Sequence, residues 1–205
     1  MRRKIGMVCM FLGVSLLCGA LSLYLHNRGA DSQAGQHTQV ILPQLLEQVP
    51  TQPEEAALAQ QLVPVEFLEE SAFEMTEVMI DGYGYIGFLG IPGLELNLPV
   101  MGDWDYTRLQ VAPCRYHGSV NGENLVLMAH NYSTHFGRLS ELKAGDRVTF
   151  TDMDGITTGY QVVARDILPP DAVEEMTAGD FDLTLFTCTY GGKSRVTLRC
   201  DRLDA

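Results

Sequence analysis

Cysteine, positive charge and long apolar runs are all scarce in this chain of 205 residues, and each scarcity removes a class of protein. The five cysteines, Cys9, Cys18, Cys114, Cys188 and Cys200, are odd in number and irregularly spaced, with no CxxC pair. A disulfide framework, a zinc knuckle and a redox dithiol are therefore not expected, and no metal or cofactor is expected either. Lys and Arg total 14 against 26 Asp and Glu, a net charge of −12 that offers no basic footprint and argues against a nucleic-acid partner. Between residues 31 and 78 there are nine acids and no Lys or Arg. Only one apolar run is long, and it lies at the start.

That run extends from Ile5 to Leu25, after Arg2, Arg3 and Lys4. Its 21 residues cover ~30 Å at ~1.5 Å per helical residue, the thickness of a hydrocarbon core. A cleaved signal peptide has a shorter apolar core and a small-residue cleavage site, which is not evident after Leu25. Residues 1–28 thus read as a basic cytoplasmic cluster and an uncleaved signal-anchor, with the C-terminus outside by the positive-inside rule. Cys9 and Cys18 are small apolar members of that segment. Residues 29–78, rich in Gln, Glu, Pro and Ala, read as an acidic extracellular stalk in which Pro43, Pro50, Pro53 and Pro64 prevent one long helix. Glu54 to Leu62 could be a helical piece, and Val63 to Met75 is apolar enough to dock on the C-terminal head.

From Gly82 the texture changes to short alternating segments separated by turn residues. Tyr85 to Ile91, Leu94 to Val100, Leu109 to Tyr116 and Asn124 to Ala129 have strand character. Phe136, Leu139 and Leu142 recur at helical spacing, which predicts a short helix over Phe136 to Lys143. Arg147 to Thr151 and Thr157 to Leu168 flank a turn cluster at Asp152-Met153-Asp154-Gly155. Asp171, with Glu174 three residues on, is a candidate N-cap for one helical turn. Seven or eight such strands with little helix predict a mostly β fold, a closed or nearly closed barrel over residues 79–205.

The most informative stretch comes last. Thr184-Leu185-Phe186-Thr187-Cys188 and Arg195-Val196-Thr197-Leu198-Arg199 are β-rich runs joined by a polar connection containing Gly191 and Gly192, the pattern of a hairpin. A thiol ends one strand and a guanidinium starts the next, so a cation lies near the sulfur and favours its nucleophilic thiolate form. Strand parity puts Arg195, Thr197 and Arg199 on one face and Val196, Leu198 and Cys200 on the other, which makes Cys200 a core residue.

TLFTC followed by an Arg that opens a strand resembles the signature of the sortases, cysteine transpeptidases of Gram-positive cell surfaces. Leu125 to Tyr132 supplies the His that the family requires, with Ala129-His130 where most members have Gly-His. The resemblance implies the closed eight-stranded sortase-type β-barrel with short helices, here preceded by an N-terminal transmembrane helix and stalk, and a catalytic domain over residues 79–205. It implies Cys188 as nucleophile, His130 as acid/base and Arg195 as the third catalytic residue, with Thr187, Leu185 and His135 as substrate-binding side chains. It also implies that an LPxTG-like sorting motif of secreted proteins is cleaved through a thioacyl intermediate and passed to a cell-wall or pilin amine. The missing long N-terminal lid insertion of pilus-building members favours housekeeping or specialised anchoring, and the resemblance is to a class B/D-like member.

Rival assignments exist at several positions. His135 is the alternative base, Arg199 the alternative cation, and Cys114 could pair with Cys200. At the level of function the rivals are a non-catalytic, membrane-anchored barrel that binds a peptide by strand addition, and a cysteine endopeptidase of another family. Papain-like enzymes place Cys before His, the reverse of this chain.

Overall fold

The computed structural model describes residues 2–50, 75–122 and 124–203. It consists of one long helix, α1 (Arg2–Gln48), and nine strands: β1 (Val78–Ile80), β2 (Tyr83–Ile91), β3 (Leu96–Met101), β4 (Cys114–His117), β5 (Leu125–Met128), β6 (Arg147–Asp152), β7 (Thr157–Leu168), β8 (Leu183–Cys188) and β9 (Arg195–Arg202). A second short helix, α2 (Val173–Thr177), interrupts the connection from β7 to β8.

The strand order β1-β2-β3-β4-β5-β8-β9-β7-β6, with β6 returning to pair β2, closes β2 to β9 into the expected eight-stranded barrel and leaves β1 as an addition to β2. Closure depends on Gly87, where an added Cβ would lie 2.1 Å from the Thr151 carbonyl oxygen. Only glycine lets the two backbones meet there. Two pairings are parallel, β3 with β4 and β5 with β8, and the second positions the site.

Alternation along each strand fills the barrel. Leu89, Leu125, Leu127, Phe150, Tyr160, Leu183, Leu185, Leu198 and Cys200 are fully or almost fully buried in one cluster. The parity reading of β9 therefore holds, with Leu198 and Cys200 inside. The described cysteines Cys18, Cys114, Cys188 and Cys200 are all free, and Cys114 lies in a second cluster apart from Cys200.

That second cluster is formed by α1. Ile41 and Leu45 pack with Tyr85, Met101, Leu109, Cys114 and Met153 on the outside of the barrel. The expectation of an extended stalk from residue 29, with Pro43 breaking the helix, is corrected for residues 29–48: α1 continues through Pro43 to Gln48. Proline in a helix interior costs about 3 kcal/mol, and burying Ile41 and Leu45 stabilises by about 1.5–3 kcal/mol each, so docking outweighs propensity. Residues 51–74, which hold the expected pieces Glu54 to Leu62 and most of Val63 to Met75, lie outside the described residues. Met75 itself packs against the barrel core.

At its other end α1 is bare. Met10, Phe11, Leu12, Leu16, Leu17, Leu21, Leu23 and Leu25 are exposed, and the helix is long and apolar enough to cross a membrane. The predicted helix over Phe136 to Lys143 is a single 3-10 turn, Leu139–Glu141, with Phe136, Leu139 and Leu142 buried as their spacing required. The turn after Asp171 is α2, but its N-cap is Ala172, without a side-chain cap.

Candidate active site

Cys188 ends β8 and Arg195 begins β9, and the two are direct partners in the antiparallel register. Both are partly exposed. The connection Thr189–Ser194 is held by its own bonds: Thr189 N–H donates to the Ser194 carbonyl (2.9 Å), and Ser194 N–H to Thr189 Oγ1 (3.1 Å). Positive φ at Gly191 and Gly192 lets the chain reverse there. Arg195 Nη1 donates to the carbonyls of Gly192 (3.1 Å) and Ser194 (3.3 Å), which orients the guanidinium beside the hairpin mouth.

His130 arrives on the parallel partner. Leu125 to Met128 of β5 pair Leu183 to Phe186 of β8 residue for residue, and Ala129 N–H donates to the Phe186 carbonyl at 3.3 Å. Continued by two residues, that register sets His130 opposite Cys188, on chains about 4.8 Å apart. Thr187 Oγ1 donates to the Ala129 carbonyl at 2.8 Å and ties the two strand ends together. His130 is half-buried, and burial lowers its pKa below the usual imidazole value. The neutral ring is thus the resting form at neutral pH.

The residues predicted to bind substrate are all buried. Leu185 is 0% exposed within the barrel, Thr187 is buried and spends its hydroxyl on Ala129, and His135 is 0% exposed. Leu185 and Thr187 lie on the inner face of β8, and His135 is packed under Tyr132, ring centroids 5.5 Å apart. His135 also drops out as the rival base. Its pKa is pushed down to about 4, by burial first and by His130 second.

Period-two parity puts Thr184, Phe186 and Cys188 together on the outer face. There Phe186 packs with Val126 and Met176 in a small buried apolar cluster, edged by Tyr116, Met128 and Leu168. Met176 belongs to α2, so the segment between β7 and β8 forms one wall. Arg199, the rival cation, is committed elsewhere. It is 4% exposed and donates to Asp166 (3.3 Å), Thr184 Oγ1 (3.1 Å) and the Glu175 carbonyl (2.6 Å), which fastens that wall to the barrel.

Two cavities adjoin this region. One, of about 760 Å³, opens beyond Tyr116 and is lined by Trp104, Arg108 and Arg115 among others. Tyr116, in the wall of this cavity, meets Phe186 edge to face at 5.3 Å. The other, of about 630 Å³, lies between α1 and the segment carrying His130. Sequence reasoning missed α1 here altogether. Asp31 accepts bonds from Ser133 N–H (3.1 Å), Ser133 Oγ (2.5 Å), Thr134 N–H (3.0 Å) and Thr134 Oγ1 (2.6 Å). One turn on, Gly35 permits the approach, since a Cβ there would lie 2.9 Å from Thr134 Cγ2. No cluster of His, Cys, Asp and Glu suited to a metal occurs among the described residues.

The family model of the sortase domain matches residues 89–203. Among solved structures the chain is similar to sortase C1 of Streptococcus agalactiae, at 25% identity and a TM-score of 0.52 over 59% of this chain and 68% of that one. It is similar to sortase C-1 of Actinomyces oris, at 24% identity and 0.53 over 58% and 74%. A third likeness is to sortase C of Streptococcus pneumoniae, at 21% identity and 0.55 over 74% and 96%. No match is found among curated proteins.

Proposed function

Because this chain belongs to the sortase family, we propose that it is a membrane-anchored cysteine transpeptidase whose catalytic residues are Cys188, His130 and Arg195. The observation that carries the reading is the meeting of β5, β8 and β9 at one end, with Cys188 in register with Arg195 and one strand from the chain bearing His130.

In acylation neutral His130 takes the Cys188 thiol proton as the sulfur attacks the scissile carbonyl, and the C–N bond breaks as the leaving amine takes that proton from the resulting imidazolium. In deacylation an acceptor amine attacks the thioester, its proton passes to neutral His130, and the sulfur leaves with the bonding pair. Arg195 stabilises the oxyanion of both steps. Nη1 is anchored to the hairpin carbonyls, while Nη2 and Nε have no partner among the described residues and stay available to substrate.

The cavity beyond Tyr116, with Trp104 and Tyr116 in its wall, suits the Leu-Pro portion of an LPxTG-like motif carried by secreted proteins. The barrel lies outside the cell, with α1 crossing the membrane and Arg2, Arg3 and Lys4 on the cytoplasmic side. In this reading residues 79–205 form the catalytic domain of a class B/D-like member, and α1 carries the membrane segment on through residues 29–48. The acceptor is a cell-wall or pilin amine. The pneumococcal relative is described in connection with pilin substrate specificity.

Mass spectrometry of the full chain incubated with a panel of LPxTG-type peptides tests the reading. The expected product is a thioacyl adduct on Cys188, absent in Cys188→Ala and present in Cys200→Ala. A panel that leaves Cys188 unmodified sinks the transpeptidase.

A further inference from the structure

We propose that the membrane helix is part of the enzyme's second substrate site: the cavity between α1 and His130 receives the acceptor amine, and Arg28 selects acceptors that carry an anionic group beside it. This deepens the transpeptidase reading and rests on it.

The sorting motif, once joined to Cys188, lies on the Tyr116 side of the thiol, toward the cavity lined by Trp104 and Arg115. An attacking amine must give its proton to His130, so it approaches from the side that His130 faces. The cavity of about 630 Å³ there has His130 and Tyr190 on one wall and Tyr24, Asn27, Arg28 and Asp31 on the other. Those four helix positions are spaced at i, i+3, i+4 and i+7, a single face of α1. The amine nitrogen bonds to the acyl carbon, the C–S bond breaks with its electron pair on Cys188, and the ammonium proton passes to His130.

Asp31, on the same wall, is not an open acid. Burial alone would raise its pKa, yet the bonds from Ser133 and Thr134 outweigh burial and hold it below the usual carboxylate value. It stays ionised with its oxygens occupied by the donors of Ser133 and Thr134, so His130 and not Asp31 is the base in the cavity wall. The cation in the cavity wall is Arg28, whose single partner among the described residues is Tyr24 Oη, at 3.5 Å. A cavity holding a base and an uncommitted guanidinium suits a primary amine with a carboxylate or phosphate nearby.

Arg28 follows the last residue of the apolar run by three positions, about 4.5 Å of helix axis. The cavity mouth therefore sits at the lipid–water boundary, where an acceptor held by the membrane would present its amine.

The test uses the full chain in phosphatidylcholine vesicles, pre-loaded with an LPxTG-type peptide, with transfer rates taken per thioacyl-enzyme formed. Nα-acetyl-lysine, which has a carboxylate, is compared with Nα-acetyl-lysinamide, which has none. Phosphoethanolamine is compared with ethanolamine to separate phosphate from carboxylate. The expected preference for at least one anionic acceptor is about fivefold and weakens with salt. It falls toward unity in Arg28→Gln and survives in Arg28→Lys. Equal rates for charged and uncharged acceptors, or a preference that Arg28→Gln leaves intact, overturns this proposal alone. Failure of the unsubstituted chain to form a thioacyl-enzyme overturns the transpeptidase reading and this one with it.

Discussion

Thr187 and Ala129 are joined across the parallel strands β8 and β5 by one hydrogen bond, the Thr187 hydroxyl donating to the Ala129 carbonyl at 2.8 Å. Each is the chain neighbour of a proposed catalytic residue, Cys188 or His130, so this bond sets the spacing of thiol and imidazole. Thr187→Val keeps the volume and leaves a buried carbonyl unpaired. The expected cost is about 1 kcal/mol of stability. In steady-state assays kcat should drop while KM holds, and Thr187→Ser should recover most of it. A valine variant with normal kcat would remove Thr187 from any positioning role.

Arg195 is proposed to act through two nitrogens left free by its carbonyl anchors. Arg195→Ala should lower kcat/KM by about 10²–10³, the loss typical of one oxyanion donor. Its melting temperature should barely move, because the side chain is partly exposed and its acceptors are loop carbonyls. Arg195→Lys cannot both anchor and donate as a fork, so it should remain strongly impaired. Kinetics and thermal denaturation on the same samples check the pair of effects.

His135 makes the fold acid-sensitive. It is fully buried, and neither ring nitrogen has a hydrogen-bond partner among the described residues. Its folded pKa of about 4 lies below the ordinary imidazole value of 6.5. Between those values the unfolded chain binds more protons, so stability is complete above pH 6.5 and is lost as pH falls toward 4. The loss is on the order of 3 kcal/mol by pH 4. His135→Phe should flatten the difference in urea midpoint between about pH 7.5 and about pH 4.5. Some slope should remain, because burial lowers the pKa of His130 in the same direction.

The cysteines should separate by reactivity. Burial pushes the thiols of Cys114 and Cys200 up to about 12, and both are 0% exposed, whereas Cys188 is partly exposed. With Cys9 and Cys18 replaced by Ser, a maleimide should modify one thiol quickly in the native chain and three in urea. Fast labelling of Cys200 without denaturant would contradict the parity of β9.

Much of this arrangement was legible before any coordinates. The alternation of β9 placed Leu198 and Cys200 inside, and the Gly191-Gly192 connection marked the hairpin that brings Arg195 to Cys188. Local patterns could not reveal pairings between distant segments. The parallel register of β5 and β8 depends on residues some 58 positions apart, and β1 is too short to read. The burial of Leu185, Thr187 and His135 was not legible from the motif alone. Alternate residues of β8 face opposite ways, so Leu185 packs inside the barrel and Phe186 in the separate cluster with Val126 and Met176. Asp31 escaped notice because nothing near it in sequence signals a partner at Ser133 and Thr134. Pro43 misled for a related reason: its effect on an isolated helix was judged without the barrel surface against which Ile41 and Leu45 pack.

The parallel joining of β5 to β8 has a further consequence for how this enzyme is made. His130 is synthesised before Cys188, and the β8–β9 hairpin follows every other strand of the barrel. Contacts so remote in sequence form late, after the entropy of closing the intervening loop has been spent. A nascent or truncated polypeptide therefore carries the imidazole, or even the thiol, without the working combination. Acyl-transfer activity should switch on only with completion of the barrel, which spares the cell a half-built enzyme that captures peptides it cannot pass on.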